Sequence, residues 1–143
     1  MATIAEALAI GLGHLQAGRL LEAEQIYLRI LAVAPRHPDA LHLLGVIALQ
    51  AGKHEAAAAY LESAAKLLEN DALCHFHLGN AYFGLRKVAE AIDCFQRALT
   101  LQPTLAEAHF NIGNALKAQG RVFESIACYQ RAGQARPGYI DAD

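Results

Sequence analysis

Between Ala106 and Gln119 apolar side chains fall at Phe110, Ile112, Ala115 and Leu116, roughly the 3.6-residue period of a helix. Gly120 follows, where a residue just past a helix end takes positive φ. A second stretch, Phe123–Ala135, carries Phe123, Ile126, Ala127 and Tyr129, and Pro137 then prevents further helix. The pattern predicts two helices joined by a tight turn. Gly18 and Gly52 hold the turn position of Gly120 in two earlier copies of the same pattern.

The copies keep a fixed interval. Gly11, Gly45, Gly79 and Gly113 are each 34 residues after the last, as are Ala23, Ala57, Ala91 and Ser125. Tyr27, Leu61, Phe95 and Tyr129 follow the same spacing, and so do Pro35, Pro103 and Pro137, with Glu69 replacing proline in the second copy. A period in the range of 20–50 residues signals a repeat array. Its units span residues 4–37, 38–71, 72–105 and 106–139, with 140–143 reading as the start of a truncated fifth helix. Eight helices with short connections and no strands are expected, in a single array covering residues 4–143.

Two copies depart from the pattern at their turns. Arg86 stands where the others have glycine, and a left-handed non-glycine costs about 1–2 kcal/mol, so Gly84 is expected to shift that turn. Where the second copy lacks proline, Asn70-Asp71 is expected to stop the helix, since asparagine tolerates the left-handed conformation. A helix-interior glycine costs about 1 kcal/mol relative to alanine. Four in one register therefore imply close approach of the second helix, with the small residues at 23, 57, 91 and 125 facing it. The aromatic or leucine four residues later is expected to fill the wedge between neighbouring pairs.

Composition narrows the function. Charged residues make up 18% of the chain and the net charge is −2 with histidine neutral, which gives no electrostatic footprint for nucleic acid or an anionic membrane. Cys74, Cys94 and Cys128 lie inside predicted helices, an odd number that argues for a reducing compartment and small apolar packing roles. Residues 4–15 are apolar but include Glu6 and lack a basic flank, so they read as the first helix rather than a leader or a membrane span. A cytoplasmic location follows.

These positions resemble the tetratricopeptide repeat, a helix–turn–helix unit with a small residue in the first helix, alanine and an aromatic in the second, and proline at its end. The stretch Ala106–Gly120 resembles in particular the arrays that precede O-GlcNAc-transferase-like glycosyltransferases. The resemblance implies an all-α, right-handed superhelix of four units whose concave face, lined by first helices, binds an extended peptide or a partner helix. It places His42, Val46 and Leu49 in the groove, with Asp39 beside them. Leu73, Phe76, His77, Asn80 and Phe83 follow in the third copy, and Glu107, Phe110, Asn111, Asn114 and Lys117 in the fourth. The first copy contributes Leu8, Leu12 and Leu15. It also implies that Asn80 and Asn114, with Asn111, form a partial amide column able to hold a peptide backbone. Ala9 and Leu43 leave the column empty in the first two copies, and leucines at the first groove positions argue against a clamp for a C-terminal carboxylate.

Chemistry has little to work with. Ser63 and Ser125 lie inside second helices, and there is no GxSxG, Walker or HExxH pattern. Gly11-Leu12-Gly13 lacks the strand–turn–helix context of a dinucleotide site. Cys74 and His77 share a helical face, yet no further ligand has metal-site spacing. No catalysis, cofactor or metal is expected. The chain reads as a protein-interaction scaffold, or alternatively as the substrate-recruiting front part of a transferase. Phe123 and Ile126 in the uncapped final repeat are expected to promote self-association.

Overall fold

Every predicted hairpin forms, and the helix ends show how. The computed structural model describes residues 3–137, among which there are eight α-helices and no strand. They are α1 (Ile4–Gln16), α2 (Leu20–Val33), α3 (Pro38–Gln50), α4 (His54–Leu67), α5 (Ala72–Gly84), α6 (Val88–Leu101), α7 (Ala106–Ala118) and α8 (Val122–Ala135). Residues 138–143, including the expected fifth helix, lie outside the described residues.

The first helix of each hairpin stops by one device. In α1 the amide of Arg19 bonds the carbonyl of His14 at 2.8 Å and that of Gly18 bonds Leu15 at 3.1 Å. This pair of bonds satisfies two carbonyls that the ending helix would otherwise leave unpaired. The same pair recurs after α3, α5 and α7, with Gly52, Arg86 and Gly120 in the left-handed position. Arg86 therefore takes φ 64° itself, against the expectation that Gly84 would move the turn, and Gly84 remains the last residue of α5. Two carbonyl bonds offset the modest backbone cost.

The missing proline also matters less than expected. α4 ends at Leu67, the position equivalent to Val33 and Leu101, and the Leu68 amide still reaches Ala64. Asn70 does not adopt positive φ. Asp71 instead begins the next helix, its carboxylate accepting from the Cys74 amide at 3.1 Å. Thr3 and His37 cap α1 and α3 in the same manner, satisfying a first-turn amide.

The glycine register has a specific occupant. A Cβ built on Gly79 would lie 2.6 Å from Cε1 of Phe95, and one on Gly113 would lie 2.6 Å from Cε1 of Tyr129. Gly11 faces Tyr27 and Gly45 faces Leu61 in the same way. The large side chain thus fills the notch of its own hairpin, in addition to reaching the next one. Ala91 and Phe95 pack with Ile112 and Leu116 of α7, while Ala23, Tyr27 and Ile30 pack with Ala40, Leu44 and Ile47 of α3.

The chain forms two compact units that divide between Glu69 and Asn70. The first holds α1–α4 around the Ala23–Ile47 core. The second holds α5–α8 around Ala91, Phe95, Ile112, Leu116 and Cys128, with Ala98, Leu105 and Ala108 beside them. Within each unit, consecutive helices pack on one another. Among the described residues no helix is long and apolar enough to cross a membrane.

Candidate functional site

In the first unit, Leu8, Ala9 and Leu12 of α1 and Asp39, His42 and Leu43 of α3 line a groove of about 270 Å³. The repeat register puts these side chains on one face, and most are apolar. His42 is half-buried there, with Asp39 exposed beside it. Val46 and Leu49 are half-buried farther along α3 and do not line this groove.

In the second unit, α5 touches α7, which brings their amides together. Asn111 Nδ2 donates to Asn80 Oδ1 at 2.7 Å. The hydroxyl of Tyr129 donates to Asn114 Oδ1 at 2.7 Å. The amide column expected from the sequence is thus partly engaged within the protein. Each amide nevertheless keeps hydrogen-bonding capacity, because an asparagine offers two donors and an acceptor with two lone pairs. All three asparagines are half-buried, so their remaining groups face a partly desolvated surface.

The aromatic candidates divide. Phe76 lies 5.8 Å from Phe95 and 5.6 Å from His77, centroid to centroid, and packs on the Ala98–Leu105–Ala108 cluster. It supports the core beneath the site. Phe110 lies 5.4 Å from Tyr129 with the rings tilted, an arrangement favoured by the ring quadrupoles. Phe83 and Lys117 are exposed, while His77 is half-buried. Arg136 reaches Glu107 at 3.3 Å, which partly neutralises the carboxylate at the start of α7.

Tyr129 is the site residue that sequence reasoning placed only in packing. Burial raises its pKa, so it stays a neutral hydrogen-bond donor across the physiological range. Its equivalent Tyr27 has no such partner: the hydroxyl is buried without a hydrogen bond, and burial raises its pKa too. The register explains the difference, since the position of Asn114 is held by Leu12 in the first copy. A hydroxyl at a site otherwise filled by leucine or phenylalanine was the available signal.

The cysteines are buried and unbridged. Burial, with further contributions from Asp71 and Cys94, pushes the Cys74 thiol up to about 12. Among the described residues no group of three potential metal ligands converges.

Among the described residues, four helical hairpins each seat a large side chain of the second helix against a glycine of the first, and in the second unit the first helices α5 and α7 meet. The family model described as anaphase-promoting complex, cyclosome, subunit 3 matches residues 16–98, more than half of the chain. Family models described as TPR repeat and tetratricopeptide repeat match residues 87–120 and 106–139. The chain belongs to the tetratricopeptide-repeat family, and with it goes a protein-interaction role. Among solved structures, a crystal structure of MamA is 26% identical, with 92% of this chain and 77% of that one covered and a TM-score of 0.84. A MamA AMB-1 structure is 27% identical over 95% and 80% of the two chains, with a TM-score of 0.84. MamA 41-end from Desulfovibrio magneticus RS-1 is 19% identical over 96% and 78%, with a TM-score of 0.87, and shares the fold. No curated protein matches the chain significantly. None of these families or structures is described as a transferase, so the recruitment reading of the sequence gains no support from them.

Proposed function

We propose that this chain is a non-catalytic cytoplasmic scaffold in which the first-helix face holds an extended peptide or a partner helix. The observation that carries the reading is the linked amide set of the second unit, Asn80 with Asn111 and Asn114 with Tyr129. Amides neither ionise near neutrality nor act as nucleophiles, which suits holding a ligand rather than transforming it. The two internal bonds fix the orientation of the side chains, so less conformational freedom is lost when a peptide backbone pairs with the remaining groups. Leu8, Leu12 and His42 of the first unit would accept apolar side chains.

The test is affinity selection of extended peptides on the intact protein, followed by titration of the triple variant Asn80→Ala/Asn111→Ala/Asn114→Ala. Three hydrogen bonds at about 0.5–1.5 kcal/mol each predict at least about a tenfold loss of affinity. Circular dichroism of the variant checks that the helices persist. Selected peptides that bind the variant as tightly as the parent protein remove the amides from the site.

A further inference from the structure

The two internal bonds of the amide set consume one kind of atom. Asn80 and Asn114 each accept through Oδ1, the first from Asn111 Nδ2 and the second from the Tyr129 hydroxyl. With the oxygen held by a neighbour, the group left over on each side chain is Nδ2 with its two hydrogens. Among the described residues neither nitrogen is buried and unpaired, so both reach solvent. Asn111 adds its second amide hydrogen, and its Oδ1 is the one oxygen of the three asparagines that neither bond engages. The surface therefore offers mostly donors.

Rings flank these donors. Phe83 follows Asn80 by one turn of α5 and is 37% exposed, and Phe110 precedes Asn114 by one turn of α7. Side chains three or four residues apart on a helix are surface neighbours. Phe110 is half-buried, with its ring tilted against that of Tyr129, whose hydroxyl holds Asn114. Of Asn80, Phe83, Phe110, Asn111, Asn114 and Lys117, only Lys117 is charged. The donors are thus suited to neutral carbonyls rather than to a run of carboxylates or phosphates.

We propose, on the reading that this face holds a peptide, that its ligand is a proline-rich segment in the polyproline II conformation. Proline keeps the backbone carbonyl and lacks the N–H, so it uses the donors and asks for no acceptor in return. An ordinary extended chain brings an N–H with every carbonyl, and on this surface most of those would find no oxygen. Polyproline II leaves its carbonyls free of internal bonds, and its pyrrolidine rings pack on aromatic side chains. Alternating carbonyls and apolar rings match the alternation of Nδ2 groups with Phe83 and Phe110.

Titration of blocked decaproline into the intact protein, followed by anisotropy of a labelled copy, tests this against a blocked glycine–serine peptide of equal length. Decaproline is expected to bind at least about tenfold more tightly than the control. The variant Asn80→Asp/Asn114→Asp provides the decisive readout. Aspartate keeps an Oδ1 able to accept from Asn111 and Tyr129, but it turns each outward donor into an acceptor. Decaproline is uncharged and is expected to lose at least about tenfold in affinity for this variant, with helical content unchanged by circular dichroism. Phe83→Ala, at an exposed ring, leaves the amides intact and should weaken decaproline at least about threefold. Decaproline that binds no better than the control, or equally well to parent and variants, would overturn the proposal. If proline-free peptides bind through the asparagines while decaproline does not, the ligand class fails and the peptide-holding face stands. If no peptide of either kind binds, both fail.

Discussion

Tyr27 and Tyr129 stand at one position of the repeat, yet only Tyr129 has a hydrogen-bond partner, Asn114. Introducing the missing amide, Leu12→Asn, should satisfy the buried Tyr27 hydroxyl and raise stability by about 1 kcal/mol. A urea midpoint at or below that of the parent would count against this account. Leu12 is itself exposed, so little apolar burial is lost. Cys74 offers a pH test. Its thiol is raised from 9.0 to about 12, so the folded state keeps a proton that the unfolded chain releases. Stability should therefore decline as pH rises from about 9 toward 12, where the unfolded state binds fewer protons. Cys74→Ala should fold normally, because Ala40 and Ala108 fill the same register fully buried, and should show a shallower alkaline decline. Equal slopes in the two proteins would refute it. The repeat register located the amides, but not their bonding. Asn111 pairs with Asn80, one helical turn out of the 34-residue phase, and a period cannot show a contact that crosses it.

At the scale of the helix, two substitutions of identical chemistry should act in opposite directions. Gly79→Ala places a methyl 2.6 Å from the Phe95 ring, and overpacking should cost about 1–3 kcal/mol despite better helix propensity. Gly13 lies in α1 with open space where a Cβ would project, so Gly13→Ala should gain about 0.5–1 kcal/mol. Thermal unfolding of both variants decides the matter, and shifts of the same sign would dismiss the notch as the reason for the glycine register. The helices themselves were legible because apolar periodicity and turn glycines agreed at each end. Arg86 and Asn70 were misread for a common reason. Local backbone preference is worth only about 1–2 kcal/mol, and the carbonyl bonds after α5 and the Asp71 cap together determine where the chain turns.

For the whole molecule, the 34-residue spacing runs through the division between Glu69 and Asn70, where only the replacement of proline by Glu69 departs from the pattern. We nevertheless propose one folding domain of four repeats, since each hairpin gains stability from its neighbours. Urea denaturation of Gly113→Ala then lowers the midpoint of a single transition. Two transitions, with only one displaced by the substitution, would separate the chain into independent domains. The ring-in-notch packing also constrains how such a chain can change length. Tyr27, Leu61, Phe95 and Tyr129 each follow their glycine by the same number of residues. Adding or removing one residue between the glycine and its large partner would rotate that side chain out of its socket, whereas inserting a complete hairpin leaves every socket matched. Growth or shortening of this molecule is thus quantised in whole 34-residue modules.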